Sequence, residues 1–166
     1  MCLQMVSKRH KVFNVLLILI PWLSLLFIGK RCIKRYILAS IFIAIFEILN
    51  HLYAHKKKWW EFYDKPQLFL RNELPFDIGP YIPMSMWFLK FADGNFKKFV
   101  VINAIANGVF SFVFLPFLKV IKIVRLKRIN YFQFFIYIHY KAYILYGAQY
   151  LFEKATFNKG VPSKIY

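Results

Sequence analysis

Residues 99–118 read FVVINAIANGVFSFVFLPFL, a run of twenty residues without a charged side chain. A helix of about 20 apolar residues is long enough to cross the hydrocarbon core of a bilayer. The whole chain of 166 residues is 60% hydrophobic and 21% aromatic, which exceeds the apolar share of an average soluble domain. The sequence therefore predicts an all-α integral membrane protein, and it excludes a disordered chain, a collagen-like chain and a disulfide scaffold.

Four further apolar segments extend this prediction to a polytopic transmembrane helical bundle of about five spans. The predicted transmembrane domain covers residues 12–152. It lies between a basic N-terminal segment, residues 1–11, and a polar C-terminal tail, residues 153–166. The predicted spans are residues 12–28, 36–52, 76–92, 99–118 and 131–152.

The third span, residues 76–92, is the least regular, because Gly79, Pro80 and Pro83 interrupt its first half. A kinked span and a re-entrant segment both fit such a pattern, and the second would leave four spans. We favour the span, because Lys90 can extend its side chain to the membrane surface and so lengthen the apolar segment.

Basic residues outnumber acidic ones by 24 to 7, which gives a net charge of +17. They occur in short clusters between the apolar segments, as cations do beside membrane spans, so a bilayer with anionic lipids is the expected partner and nucleic acid is not. One cluster, residues 119–128, repeats its cations on one helical face. It predicts either an amphipathic helix on the membrane surface or a helix extension with a solvated basic face. We expect a multi-pass plasma-membrane protein, and a cytoplasmic N-terminus would place this cluster on the anionic leaflet.

Two charged residues lie deep within predicted spans, Glu47 in the second and Lys141 in the fifth. An isolated charge at the centre of a bilayer costs at least about 3 kcal/mol, so each of them is expected to have a partner. Both lie at a similar depth, about 15 Å from the start of their own helix at the helical rise per residue. We therefore predict an ion pair between the two helices, which either lines a path for a substrate or proton or only fixes the packing.

Glu47, His51 and His55 are spaced four residues apart and so share one face of the second predicted helix. One carboxylate and two imidazoles can bind zinc or non-haem iron, but a complete coordination shell needs donors from other elements as well. The alternative is that both histidines are solvated at the headgroup boundary beside Lys56. We favour that alternative, so no metal and no other cofactor is predicted.

Polar side chains also form stripes on the last two predicted helices. Asn103, Asn107 and Ser111 recur at steps of four residues, and Gln133, Lys141 and Gln149 share a face of the last helix. A polar face within a membrane must contact protein or water. The candidate residues for a ligand or ion path are therefore Glu47, Lys141, Asn103, Asn107, Gln133 and Gln149. Three further carboxylates, Asp64, Glu73 and Asp77, are interpreted as ordinary loop residues.

Short stretches of the chain resemble a known family. They are WWEFYDKP at residues 59–66, LPF at 74–76, GP at 79–80, YGAQ at 146–149 and FEK at 152–154. In these stretches the chain is similar to a family of small multi-spanning membrane proteins of Bacillus-type bacteria, over most of its length. The resemblance implies a bacterial plasma-membrane protein. It implies no activity and no functional residue.

The sequence contains no phosphate-binding loop, no glycine-rich dinucleotide turn, and no His-Glu-x-x-His or Gly-x-Ser-x-Gly motif. We therefore expect a small binding or accessory subunit of a membrane complex. Its expected protein partner is another membrane protein. The first alternative is a small transporter or substrate-capture component that uses the intramembrane polar residues. The second is an intramembrane metal-dependent enzyme, which the missing motifs disfavour.

Overall fold

The computed structural model describes residues 8–63 and 69–157. The start of the predicted basic segment (residues 1–7), Asp64 and the end of the predicted tail (residues 158–166) lie outside these ranges. The described part of the chain is all-α apart from one pair of short strands.

The first two helices are long. Helix α1 comprises Lys8–Ser24 and continues into a 3₁₀ turn at Leu25–Phe27, and α2 comprises Lys30–Lys57. Between them Gly29 has a φ of 89°, a conformation that side chains other than glycine rarely adopt. The backbone can therefore reverse direction over very few residues.

The next two helical segments each contain a π-helical turn. Short helices α3 (Phe69–Asn72) and α4 (Leu74–Phe76) lead through a π-helical turn at Asp77–Tyr81 into α5 (Ile82–Ala92). Helix α6 (Phe96–Val109) leads through a second one at Phe110–Phe114 into α7 (Leu115–Val120). Prolines accompany both turns, with Pro80 within the first, Pro83 shortly after it and Pro116 shortly after the second. Proline has no N–H to donate and its ring clashes with the preceding turn, which disfavours a regular α-helix at these places.

The last helix, α8, comprises Tyr131–Phe157. It packs against α2 and α6, and α5 also packs against α2 and α6, so α2, α5, α6 and α8 form a closed ring of four helices. Helix α1 lies outside the ring, against α4, α5 and the π-helical turn between them. Buried apolar side chains such as Ile43, Met86 and Phe99 pack together between the ring helices.

Three helices in the described ranges are long and apolar enough to cross a membrane: His10–Phe27, Lys30–Lys57 and Phe96–Val120. They correspond to the first, second and fourth predicted spans. The third predicted span is helical but divided at Pro80. The fifth forms a single helix of 27 residues, whose tyrosine, glutamine and lysine side chains lower its mean hydropathy.

The prediction of a helix at residues 119–128 is wrong. Helix α7 ends at Val120, Lys122 adopts a left-handed φ of 55°, and strand β2 (Val124–Leu126) pairs antiparallel with strand β1 (Trp60–Phe62). The pairing buries Val124 in an apolar cluster. The free energy gained by burying Val124 outweighs the preference for a helix that the spacing of the cations suggests.

The two strands are also joined by an exposed ion pair. Arg125 Nη2 donates to Glu61 Oε2 at 2.8 Å, and Lys127 Nζ lies 3.5 Å from the same oxygen. The hydrogen bond from Arg125 lowers the pKa of the Glu61 carboxyl.

Gly79 lies at a close contact between the π-helical turn and α1. A Cβ atom at Gly79 would lie 2.8 Å from the backbone oxygen of Leu17 and 3.2 Å from Cγ1 of Ile18. The backbone of the π-helical turn therefore approaches α1 within a distance that only glycine allows.

We expect Gly79→Ala to destabilise the protein by about 1–3 kcal/mol, because the added methyl group overpacks a backbone contact. The measurement is thermal unfolding of the purified protein in detergent. Gly147→Ala is the matched control, since a Cβ at Gly147 in α8 meets nothing within 4 Å, and alanine there favours the helix by up to about 1 kcal/mol. Equal melting temperatures for Gly79→Ala and wild type would contradict this close contact.

Candidate functional site

The predicted ion pair between the second and last helices is confirmed. Lys141 Nζ lies 2.5 Å from Glu47 Oε2, and the two side chains are 0% and 2% exposed. The ammonium group also lies 3.5 Å from the centre of the Tyr137 ring, one turn earlier on α8, where a cation–π contact adds to its stabilisation. The pair joins α2 to α8 inside the ring.

His51 continues this pair into a chain of four groups. His51 Nε2 lies 3.0 Å from Glu47 Oε1, and His51 Nδ1 lies 2.5 Å from Asp77 Oδ1. We call Lys141, Glu47, His51 and Asp77 the ionic chain. Basic and acidic groups alternate along it, so each member has an oppositely charged or hydrogen-bonding neighbour.

The interpretation of His51 as a solvated headgroup residue is wrong. Its side chain is 12% exposed, and its ring packs edge-on against Trp60 with 5.1 Å between ring centroids. The interpretation of Asp77 as an ordinary loop carboxylate is also wrong, because Asp77 is fully buried. The π-helical turn that starts at Asp77 places this carboxylate against α2.

A second histidine–carboxylate pair lies one turn further along α2. His55 Nδ1 lies 2.6 Å from Glu73 Oε1, with side-chain exposures of 34% and 3%. Burial raises the pKa of the Glu73 carboxyl, and the hydrogen bond with His55 opposes that shift. Glu73 is therefore another buried carboxylate that the sequence interpretation placed in a loop.

The ionic chain forms one wall of a partly open cavity of about 230 Å³ between the ring helices, the two π-helical turns and the strand pair. The other walls are mainly aromatic and aliphatic and come from α5, α6, α8, the π-helical turns and the strand pair. They include Trp60, Met84, Phe88, Phe110 and Phe134. The cavity thus combines a large apolar wall with a few convergent charged groups, as small-molecule sites commonly do.

The other predicted path residues divide into two groups. Asn103 and Asn107 line the cavity, and Asn103 Nδ2 donates to the backbone oxygen of Phe99 at 2.9 Å. Gln133 is exposed at the start of α8, where its side chain accepts from the Asn130 backbone N–H. Gln149 donates to Glu153 near the opposite end of α8, and neither glutamine lines the cavity.

The metal-ligand set considered from the sequence is not assembled. His55 bonds to Glu73, whereas Glu47, His51 and Asp77 each offer a ligand atom within 4.8 Å of the others. A ligating imidazole needs a nitrogen lone pair free for the ion, and both nitrogens of His51 face carboxylate oxygens. Lys141 also adds a positive charge next to Glu47. The arrangement therefore suits bound protons better than a metal cation.

Comparison of the chain with protein-family models, with curated proteins and with solved structures finds no match. The resemblance to a family of Bacillus-type membrane proteins stays a prediction.

We expect Glu47→Gln and Lys141→Met each to destabilise the protein by about 3–5 kcal/mol, because each leaves one buried charge without its partner. The double variant should be more stable than either single variant. The measurement is a double-mutant cycle of unfolding free energies in mixed micelles.

Glu153→Gln is the control for this cycle. Glu153 pairs with Arg35 at 2.6 Å on a surface where the side chains are 37% and 41% exposed, and such pairs contribute at most about 1 kcal/mol. Additive effects of Glu47→Gln and Lys141→Met would contradict a direct interaction.

Proposed function

We propose that the chain is a multi-pass protein of the plasma membrane with five spans. The outward faces support this, because large apolar side chains remain exposed along every long helix, such as Ile20, Ile45, Ile105 and Leu151. Exposed lysine and arginine residues lie at both ends of the helices, where they can contact anionic headgroups. They include Lys56, Lys57, Lys58, Lys119 and Lys122 at one end and Lys30, Arg31, Lys34, Lys97 and Lys98 at the other.

The strand pair supports the span over the re-entrant segment for residues 76–92. Strands β1 and β2 are hydrogen-bonded to each other, so both must lie on the same side of a membrane. The chain between them must then cross an even number of times. Helix Phe96–Val120 supplies one crossing, and residues 76–92 supply the other.

We propose that the protein binds a small molecule within the bilayer, as a binding subunit that can act alone or with another membrane protein. The observation that carries this proposal is the cavity of about 230 Å³ between an apolar wall and the ionic chain. Side chains that line a cavity lose dispersion contacts, and the buried charges beside it cost free energy of desolvation. Binding a ligand accounts for both features.

The test is native mass spectrometry of protein extracted in its own lipids. We expect a defined small mass on the wild type that Ala106→Phe removes, because Ala106 lines the cavity and a phenyl ring there would fill it. The control is Ile105→Phe on the same helix, where the side chain is 64% exposed and faces away. A wild type that carries no small molecule, or a mass that Ala106→Phe retains, would contradict the proposal.

Transport is the second candidate. It is favoured by His55, which is partly exposed and lies one turn beyond the ionic chain on the same face of α2. Titratable groups then extend from the end of the bundle to its centre. Uptake of the bound molecule into proteoliposomes, lost in Ala106→Phe, would distinguish transport from binding alone.

A further inference from the structure

The charges of the ionic chain depend on one proton. Lys141 contributes +1, and Glu47 and Asp77 contribute −1 each when ionised. A protonated His51 makes the chain neutral and carries a proton on each ring nitrogen, of which Nε2 lies 3.0 Å from Glu47 Oε1 and Nδ1 lies 2.5 Å from Asp77 Oδ1. Loss of that proton leaves one negative charge in an apolar environment, which needs a replacement cation.

The groups that surround this proton come from three elements. They are Glu47 and His55 from α2, Glu73 and Asp77 from the segment before α5, and Tyr137 and Lys141 from α8. Lys141 is fixed by Glu47 and by the Tyr137 ring, so its charge is already compensated. The uncompensated charge after deprotonation therefore falls on the His51–Asp77 pair.

Asp77 lines the cavity and has a carboxylate oxygen without a hydrogen-bond partner among the described residues. Its side chain is 0% exposed, and the oxygen without a partner is Oδ2. A buried carboxylate oxygen without a partner costs free energy that a ligand can recover. The ligand group that best satisfies it carries a positive charge.

The remaining cavity wall suits the same ligand. The rings of Trp60, Tyr81, Phe88, Phe110 and Phe134 line the cavity. The faces of such rings attract organic cations, most strongly where water is excluded. An anion would be repelled by Asp77 and Glu47, and a purely apolar molecule would leave the negative charge of Asp77 uncompensated after His51 loses its proton.

We propose that the cavity binds a small organic cation with an apolar body, and that binding releases one proton from the His51–Asp77 pair. Charge balances in this exchange, because the ligand brings +1 and one proton leaves to solvent. The inference rests on the proposed binding function and specifies its ligand class.

The experiment compares benzyltrimethylammonium with its uncharged carbon isostere, neopentylbenzene, on EDTA-treated full-length protein in nanodiscs. We expect the cation to bind with at least about tenfold higher affinity than the uncharged compound. Its affinity should rise with pH by up to about tenfold per unit, because binding displaces a proton. Calorimetry in two buffers of different protonation enthalpy should give close to one proton released per cation bound.

Asp77→Asn should remove both the preference for the cation and the proton release. In this variant the charges of Lys141 and Glu47 cancel and His51 is neutral, so the ionic chain has no net charge. Asp93→Asn is the matched control, because Asp93 is exposed, lies outside the cavity and has a left-handed φ of 47° that asparagine tolerates. It should behave as the wild type.

The wild-type measurements decide the proposal even if Asp77→Asn does not fold. Equal affinity for the two compounds, no binding of the cation, or binding without proton release would each overturn it. A bound small mass that Ala106→Phe removes would leave the proposed binding function standing in those cases, whereas its absence would remove that function too.

Discussion

The contact between Lys141 and Glu47 is the interaction on which the rest of the bundle depends. A charge held in apolar surroundings needs an opposite charge at hydrogen-bond distance, and here the two partners lie on the two helices that pack most extensively. That requirement determines the relative height of α2 and α8. His51 and Asp77 then follow from the same requirement, since Glu47 has a second oxygen and the imidazole a second nitrogen to satisfy.

The prolines determine how Asp77 meets this chain. A regular helix through residues 74–92 would place its side chains at a constant angular step. The π-helical turn at Asp77–Tyr81 changes that step where Gly79 also lets the backbone approach α1. Such turns inside helices are frequent at functional sites. This irregular segment also supplies a buried carboxylate, Asp77, to the lining of the cavity.

The helical regions and the Glu47–Lys141 pair could be predicted from sequence, because both follow from the cost of placing charge among apolar residues. The strand pair could not, because Val124–Leu126 is three residues long and its partner lies far away in the chain. The spacing of the cations at every third position in residues 119–128 is typical of a helix rather than of a strand. Asp77 and Glu73 lie among prolines and charged residues, as loop residues do. One signal was available in the sequence. Glu73 and Asp77 are four residues apart, as are His51 and His55, so two helical segments can bring both carboxylates against both histidines.

The distance along the chain between Glu47 and Lys141 has a consequence for biosynthesis. Helix α2 leaves the ribosome long before α8 has been translated, given synthesis at about 5–20 residues per second. During that interval Glu47 lacks Lys141, whereas Asp77 follows α2 much sooner in the chain. In the proposed membrane location, Glu47 must remain protonated or close to the headgroups until Lys141 arrives. The ion pair between α2 and α8 is thus completed only by the final helix.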